Sequence, residues 1–284
     1  MTNVHALSTL LAGFLAMAAC TFPGAATNPP LGLTFTNVCA SVPVTAHAVY
    51  VVWEPDRGWE TASLDALGDL DPTERKAAFI AAVTPIVMAV DAAILRDRAR
   101  LVAVREHLGQ GCALDTGSAI WLDDLAGHYG GDAQNIETLH AKVDVIPPSL
   151  AVAQAAIESG WGTSRFAAEG NALFGERVWS ERIANMMARE AAVRVRAFSS
   201  LYESVERYTL NLNTNPAYAG FRDVRAGLRE REGAVAGIPL AATLTKYSER
   251  RSYVNDIVAT IRANGLQPLD HVLAAFGPNS PTRT

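Results

Sequence analysis

A single glutamate, Glu158, stands at the end of an almost uninterrupted run of small apolar residues. Pro148 suits the first turn of a helix, Leu150 to Ile157 would continue it, and Gly160 and Gly162 would end it. A helix that is apolar on all sides is a buried helix. A carboxylate in its last turn would lie beside the partial negative charge of the helix end and away from water. Both effects raise a carboxyl pKa, so Glu158 is predicted to be a general acid.

A purely structural role is the alternative for Glu158, whose carboxylate could instead bond Arg165 or a backbone amide of the following loop. The sequence after the helix favours the catalytic interpretation. Residues 170–175 read Gly-Asn-Ala-Leu-Phe-Gly, a turn-rich segment able to line a groove beside the end of the helix.

Three segments carry a resemblance to a known family. Pro148 to Phe166, Asn171 to Gly175 and Asn211 to Tyr218 resemble the glucosaminidase domain of glycoside hydrolase family 73, and in particular the Bax-type proteins. The similarity extends from Pro72 to Leu266. The Glu-Ser-Gly-Trp-Gly signal that begins at Glu158 is specific in this setting, whereas Glu-Ser alone would be weak.

This resemblance implies a fold and an activity. The fold class would be mainly α (α+β): a lysozyme-like glucosaminidase domain with a small β-hairpin, preceded by a long N-terminal helix. The activity would be that of an endo-β-N-acetylglucosaminidase, which cleaves the β-1,4 bond following N-acetylglucosamine in peptidoglycan. Glu158 matches the family's catalytic acid. Tyr218 matches a tyrosine near the reacting sugar, where it would hold the acetamido group or a water, with packing in the core as its alternative role.

A second carboxylate is normally required for glycoside hydrolysis. In many relatives it lies on the hairpin after the Asn-Leu-Phe-Gly segment, and here Glu190 is the first candidate and Glu181 the second. Residues 191–198 alternate in part between apolar and polar side chains, as the return strand of that hairpin would. Ile183 to Ala192 is, however, also compatible with a helix. The stretch departs from the family's usual hairpin. Participation of the substrate's own acetamido group would make a second carboxylate unnecessary.

Residues around these motifs are candidates for binding the substrate, namely Trp161, Asn171, Phe174 and Tyr208. The aromatic rings could form apolar walls against which sugar rings pack. Each of them, together with Phe198, is equally compatible with a place in the core.

The elements that position these residues are predicted from capping and helical periodicity. Asp71 and Pro72 mark the start of a long apolar helix, in which Pro85 is expected to kink or divide the run. Shorter helices are predicted for Ile120 to His128 and Ile136 to Lys142. The predicted domain organisation is a signal peptide at 1–26, an irregular linker or docking arm at 27–70, a helical N-terminal extension at 71–138, a glucosaminidase catalytic domain at 139–266 and a loose tail at 267–284.

The N-terminus predicts export to the periplasm or cell envelope. Ala6 to Ala19 is a nearly unbroken apolar stretch, shorter than the about 20 residues that span a bilayer as a helix and typical of a signal peptide core. Cleavage would follow Gly24 to Ala26. Alternatively, Met17 to Cys20 resembles a lipoprotein box, which would place a lipid anchor at Cys20. No integral membrane span is expected in the mature chain.

Cysteine usage agrees with export. Once Cys20 is removed or acylated, Cys39 and Cys112 remain as an even pair and predict a disulfide. Two separate buried thiols are the alternative.

Composition and motifs argue against several other classes of function. The net charge is -5 and no run of Lys or Arg occurs, so the sequence has no electrostatic footprint for nucleic acid. The histidines and cysteines lack metal-ligand spacing, and phosphate-cradling and serine-hydrolase motifs are absent, so no metal or cofactor is expected. The expected partner is the glycan strand of peptidoglycan.

Two other functions on the same polymer stay open. A lytic transglycosylase would share the lone glutamate but close an anhydro ring on the muramyl sugar. A non-catalytic binding module would keep the groove without turnover.

Overall fold

The computed structural model describes residues 63–188 and 193–274, which are mainly helical with one small antiparallel sheet. This confirms the predicted fold class, including the long N-terminal helix and the small hairpin. The helices are α1 (Pro72–Gly109), α2 (Thr116–His128), α3 (Ile136–Lys142), α4 (Pro148–Ser159), α5 (Arg165–Gly170), α6 (Leu201–Thr214), α7 (Ala219–Glu232), α8 (Gly237–Ala241), α9 (Tyr253–Ala263) and α10 (Pro268–Ala274). The strands are β1 (Arg177–Val178), β2 (Asn185–Met187) and β3 (Arg194–Arg196).

Helix α1 begins as its sequence predicts. The Asp71 side chain accepts hydrogen bonds from the backbone amides of Thr73 and Glu74, and Pro72 occupies the first turn. Pro85 lies inside the helix without dividing it. Among the helices described, α1 alone is long and apolar enough to cross a membrane, but half of its most apolar stretch is buried and it packs against α4 and α6. A core helix has the same properties.

Helix α4 lies at the centre of the fold. Every residue from Pro148 to Ala156 is buried, as expected for a helix that is apolar all round. Gly160 ends the helix in the left-handed conformation at φ 59°, which glycine adopts without steric cost. The Ser159 hydroxyl accepts a hydrogen bond from the Gly162 amide at 2.9 Å and so holds the turn against the helix end.

The sheet has three strands in the order β1-β3-β2. β2 and β3 form the predicted hairpin, and β1 pairs antiparallel with the other edge of β3. The helical alternative for Ile183 to Ala192 is therefore wrong where β2 forms. In the antiparallel pairing of β2 with β3, Asn185 lies opposite Arg196 and Met187 lies opposite Arg194.

Both ends of the described chain are more ordered than the sequence suggests. The end of the segment predicted to be irregular forms a 3-10 helix (Asp65–Asp69), and its Leu67 is buried. A side chain at Gly162 would come within 2.8 Å of Leu67, so this segment packs directly behind the loop that follows α4. In the predicted loose tail, residues 268–274 form α10, whose Asp270 is buried. The physical reason is that both segments bury side chains against the core.

Several predictions concern residues outside the described ranges. These are the signal peptide at 1–26, the lipoprotein box at Cys20 and the carboxylate of Glu190. Cys112 is buried and disulfide-bonded, whereas Cys39, its predicted partner, lies outside the described residues. Their pairing stays a prediction.

Candidate active site

A cleft of about 890 Å³ opens at the C-terminal end of α4. Its walls come from five parts of the chain: the end of α4, the segment from α5 to the start of β1, the segment between β3 and α6, one face of α6 with the turn that follows it, and the loop before α9. Four residues chosen from the sequence meet there, namely Glu158, Phe174, Tyr208 and Tyr218, and Phe198 joins them. The cleft therefore brings together side chains that lie far apart in sequence.

Glu158 projects into this cleft from the last turn of α4. Burial raises the pKa of its carboxyl, and a hydrogen bond from Tyr253 and the charge of Arg250 oppose that shift only in part. The raised pKa agrees with the prediction for a general acid. The proposed structural partner Arg165 is occupied elsewhere, because it bonds Glu169 and the carbonyl oxygen of Met187.

A chain of hydrogen bonds lies behind Glu158. The Tyr208 hydroxyl donates to Gln154 Oε1 at 2.6 Å, and Gln154 Nε2 donates to the Tyr253 hydroxyl at 2.9 Å. The Tyr253 hydroxyl in turn lies within reach of the Glu158 side chain, and as a hydrogen-bond donor it lowers the pKa of that carboxyl. Neither Gln154 nor Tyr253 was singled out from the sequence. The helical spacing of Gln154 and Glu158, four residues apart, was the available signal for the glutamine.

Stacked aromatic rings form one side of the cleft. The ring of Phe174 lies on that of Tyr208 at 3.9 Å between centroids, with the two planes 8° apart. Tyr247 stacks on Tyr253 at 5.5 Å and approaches Tyr218 to 6.1 Å. Rings that pack on one another in this way present rigid apolar faces.

Tyr218 is held at the turn between α6 and α7. Pro216 opens a 3-10 turn there, and Asn215 caps it by accepting a hydrogen bond from the Ala217 amide. Burial raises the pKa of Tyr218, and a hydrogen-bonding contact with the Asn211 side chain opposes that shift only in part, so the phenol keeps its proton at neutral pH. Tyr218 is thus positioned as a neutral hydrogen-bonding group on the cleft wall.

The predicted second carboxylates do not appear in the described part of the cleft. Glu181 is exposed in the turn between β1 and β2, where it forms an ion pair with Arg194, and Glu190 lies outside the described residues. Glu176, which the sequence analysis passed over, lines the cleft instead. Arg207 Nε donates to both of its carboxylate oxygens at 3.2 Å. Its position directly after the glycine of the Asn-Ala-Leu-Phe-Gly segment was the signal that could have identified it.

Two predicted substrate-binding residues do not line the cleft. Trp161 packs edge-on against Phe79 at 5.7 Å, with Lys76 over its ring, because the turn after α4 directs it towards α1. Asn171 ends α5 in the left-handed conformation at φ 53° and donates its side-chain amide to the carbonyl oxygen of Phe198. Both contacts serve the fold, and substrate binding by these two residues stays a prediction.

Within the ranges 63–188 and 193–274, no group of three or more His, Cys, Asp or Glu side chains is placed to hold a metal ion. The side chains that line the cleft are carboxylates, cations, hydroxyls and aromatic rings. This set suits a polar, uncharged ligand with apolar ring faces, as a sugar has.

Comparison with known proteins places this cleft in a family context. Residues 133–266 match the Glucosaminidase family, described as mannosyl-glycoprotein endo-beta-N-acetylglucosaminidase. Protein bax of Escherichia coli (strain K12) is 36% identical over 199 residues, which cover 68% of this chain and 70% of that protein.

Among solved structures, the chain is similar to the catalytic domain of the autolysin Auto from Listeria monocytogenes, with a TM-score of 0.40 and 19% identity over 72% of this chain and 94% of that one. It is also similar to a peptidoglycan hydrolase from Sphingomonas sp. A1, with a TM-score of 0.34 and 21% identity over 57% of this chain and 98% of that one. The relationship at the sequence level is the firmer one, because identity to protein bax extends over more than two thirds of both chains. The chain therefore belongs to the family of Bax-type proteins that carry a glucosaminidase domain.

Proposed function

We propose that this protein hydrolyses the β-1,4 bond following N-acetylglucosamine in peptidoglycan, with Glu158 as the general acid. The observation that carries the proposal is the position of Glu158. Its carboxyl has a raised pKa and lies in a cleft that is lined by stacked aromatic rings. Membership of the glucosaminidase family supports the reaction type. Peptidoglycan is proposed as the substrate because the family resemblance of the sequence implies it. Such a substrate implies export to the cell envelope.

The chemistry follows from the protonated state of Glu158. Its proton would pass to the glycosidic oxygen as the bond from that oxygen to the anomeric carbon breaks. The resulting carboxylate would keep the hydrogen bond from Tyr253 and the nearby charge of Arg250. Tyr218, with Asn211 beside it, would hold the acetamido group or the attacking water.

The first test replaces the acid. Glu158→Gln keeps the shape of the side chain and removes its proton, so turnover should fall by a factor of at least about 100 while the free energy of unfolding stays nearly unchanged. Products released from purified peptidoglycan by residues 27–284 would be analysed by mass spectrometry. Reducing N-acetylglucosamine ends from the wild type alone are expected.

Other products would contradict the proposal in distinct ways. Anhydromuramyl ends would identify a lytic transglycosylase. Binding to peptidoglycan without products from either protein would identify a binding module. Near-normal activity of the Glu158→Gln protein would remove Glu158 from the mechanism.

A second test concerns the other carboxylate. Glu190 remains the proposed base or nucleophile, and Glu190→Gln should lower kcat by a factor of about 100 or more. Glu181→Gln is the matched control on the same hairpin region and should have little effect, because Glu181 is exposed and paired with Arg194. Full activity of the Glu190→Gln protein would instead indicate participation by the substrate's acetamido group.

A further inference from the structure

The helix that carries Glu158 also carries a fully buried amide. Gln154 lies one turn before Glu158 in α4, with none of its surface exposed, and it does not line the cleft. Burying an amide is unfavourable unless its polar atoms are bonded. Hydroxyl groups from two other helices meet this requirement, Tyr208 from α6 and Tyr253 from α9. The position is therefore built for polar contacts within an otherwise apolar helix.

The hydrogen bonds of Gln154 have a definite direction. Oε1 can only accept, so the hydroxyl of Tyr208 must be the donor to it, at 2.6 Å. This contact turns Nε2 towards Tyr253, to whose oxygen it donates at 2.9 Å. Because the Tyr253 oxygen accepts this bond, its own proton is left for another acceptor. The acceptor within its reach is the carboxylate of Glu158, whose pKa Tyr253 lowers as a hydrogen-bond donor.

We propose that Gln154 is a positioning residue for the acid: its amide, anchored by Tyr208, fixes the hydroxyl of Tyr253 as a hydrogen-bond donor to Glu158. The proposal rests on the function proposed above, in which Glu158 gives its proton to the glycosidic oxygen. When that proton leaves, the electron pair of the broken O–H bond stays on the carboxylate. The Tyr253 hydrogen bond stabilises this charged form and hence the transition state that leads to it.

The charged and titratable groups around Glu158 define what a pH measurement would report. Tyr253 and Arg250 oppose the rise in its pKa that burial causes, and Tyr247 lies within electrostatic reach. The other ionisable side chains of the cleft are Glu176, Arg177, Arg207, Tyr208, Tyr218, Lys246 and Glu249. A substitution at Gln154 leaves all of these in place. A change in the pKa of Glu158 would therefore report the loss of the Tyr253 hydrogen bond.

Gln154→Met tests the proposal, because it keeps the approximate volume and removes both polar atoms. Without a fixed donor, the pKa of Glu158 should rise by about one unit, as expected for the loss of a hydrogen bond to a charged group. Glu158 must be protonated to act, so the basic limb of the kcat/KM profile should move to higher pH. We expect kcat to fall by about tenfold with little change in KM. An NMR titration of the Glu158 carboxyl gives the same pKa without requiring turnover.

A double-mutant cycle separates positioning from general damage. Tyr253→Phe should raise the Glu158 pKa by the same amount as Gln154→Met, and the double variant should add no further shift. Ser149→Ala is the matched control, because Ser149 is another buried, hydrogen-bonded residue of α4. It should lower stability and leave the pH profile in place.

Tyr208→Phe covers the case in which Gln154→Met does not fold. This variant keeps the ring that stacks on Phe174 and removes only the hydroxyl that anchors Gln154, so it should shift the Glu158 pKa in the same direction. The proposal is overturned if Tyr253→Phe shifts the pKa and neither Gln154→Met nor Tyr208→Phe does so, or if Tyr253→Phe itself has no effect. Failure of the proposed function would look different, because a wild-type protein without turnover would still show this coupling in the NMR titration.

Discussion

At the scale of single residues, the proposed acid Glu158 and the residues that support it depend on different levels of organisation. Glu158 follows a local pattern, an apolar helix that stops at glycines. The hydrogen-bonded pair behind it, Gln154 and Tyr253, follows no local pattern, since these two residues are 99 positions apart. Such a pair becomes visible only when α9 packs against α4. The local sequence thus determines the position of the proposed acid, and distant helices determine its surroundings.

Tyr218 is the second residue whose role can be tested alone. Tyr218→Phe keeps the ring in the cleft wall and removes the hydroxyl that bonds Asn211. If that hydroxyl orients the acetamido group or a water, kcat/KM should fall by about tenfold or more, with a stability loss of only about 1 kcal/mol. Steady-state kinetics and urea unfolding measure the two effects.

The matched control for Tyr218 is Tyr129→Phe, which removes the hydroxyl of another buried tyrosine that lies outside the cleft. It should not change the rate. If Tyr218→Phe also left the rate unchanged, the packing role of Tyr218 would be the correct one.

At the scale of elements, α10 stabilises the start of α4, the helix that carries Glu158. Asp270 accepts hydrogen bonds from the backbone amide of Ser149 at 2.9 Å and from its hydroxyl at 2.7 Å. It also accepts from the amide of Gly237 at 2.9 Å, at the start of α8. Backbone amides in the first turn of a helix have no partner within that helix, so an acceptor from elsewhere satisfies them. α10 thus caps two helices that precede it in the chain.

Asp270→Ala should therefore destabilise the domain. It leaves buried amides at Ser149 and Gly237 without their acceptor, and each such group costs about 1–3 kcal/mol. We expect a loss of at least about 2 kcal/mol in the free energy of unfolding, measured in urea. The neighbouring exposed residue gives the control, and His271→Ala should be nearly neutral. Equal stability of the two variants would mean that α10 does not cap α4.

At the scale of the whole molecule, one buried carboxylate joins the N-terminal helix to the domain that holds the cleft. Asp144 lies just before α4 and is almost fully buried. Arg229 Nε from α7 donates to it at 2.8 Å, Arg98 from α1 lies at 3.6 Å and Arg225 from α7 at 3.8 Å. Burial by itself would raise the pKa of Asp144, but these three guanidinium groups together hold it well below its ordinary value. The extension and the catalytic region are therefore expected to unfold together.

The sign of the pH dependence follows from that shift. A carboxyl whose pKa is lower in the folded than in the unfolded chain contributes stability at neutral pH. That contribution is lost progressively as the pH falls below the ordinary value of 3.8 towards the folded value. Asp144→Asn should cost about 3–5 kcal/mol at pH 7, because it leaves buried cations without their partner.

Unfolding of the wild type and of Asp144→Asn would be followed in urea between pH 7 and pH 3. The gap between the two proteins in the free energy of unfolding should narrow as the pH falls. Asp124→Asn, at an exposed position in α2, is the control and should track the wild type throughout. A gap that stays constant across this range would show that the charge of Asp144 is not what stabilises the fold.

The sequence by itself determined the features that depend on neighbouring residues. Caps and periodicity located the start of α1 at Asp71 and the bounds of α3 at Ile136 to Lys142, and the apolar run indicated that α4 is buried. These features are local because a helix bonds residues four positions apart. The same reasoning predicted a raised pKa for Glu158, because burial at the end of an apolar helix follows from the sequence pattern alone.

Only the tertiary structure decided which side chains meet. Trp161 and Phe174 are both aromatic residues near Glu158, yet one packs on α1 and the other lines the cleft. Glu176 and Glu181 likewise differ in position and not in chemistry. The direction of a side chain outside regular helices depends on turns such as those at Gly162 and Asn171 and on what packs behind them. Those contacts join residues far apart in the chain, so no local pattern encodes them.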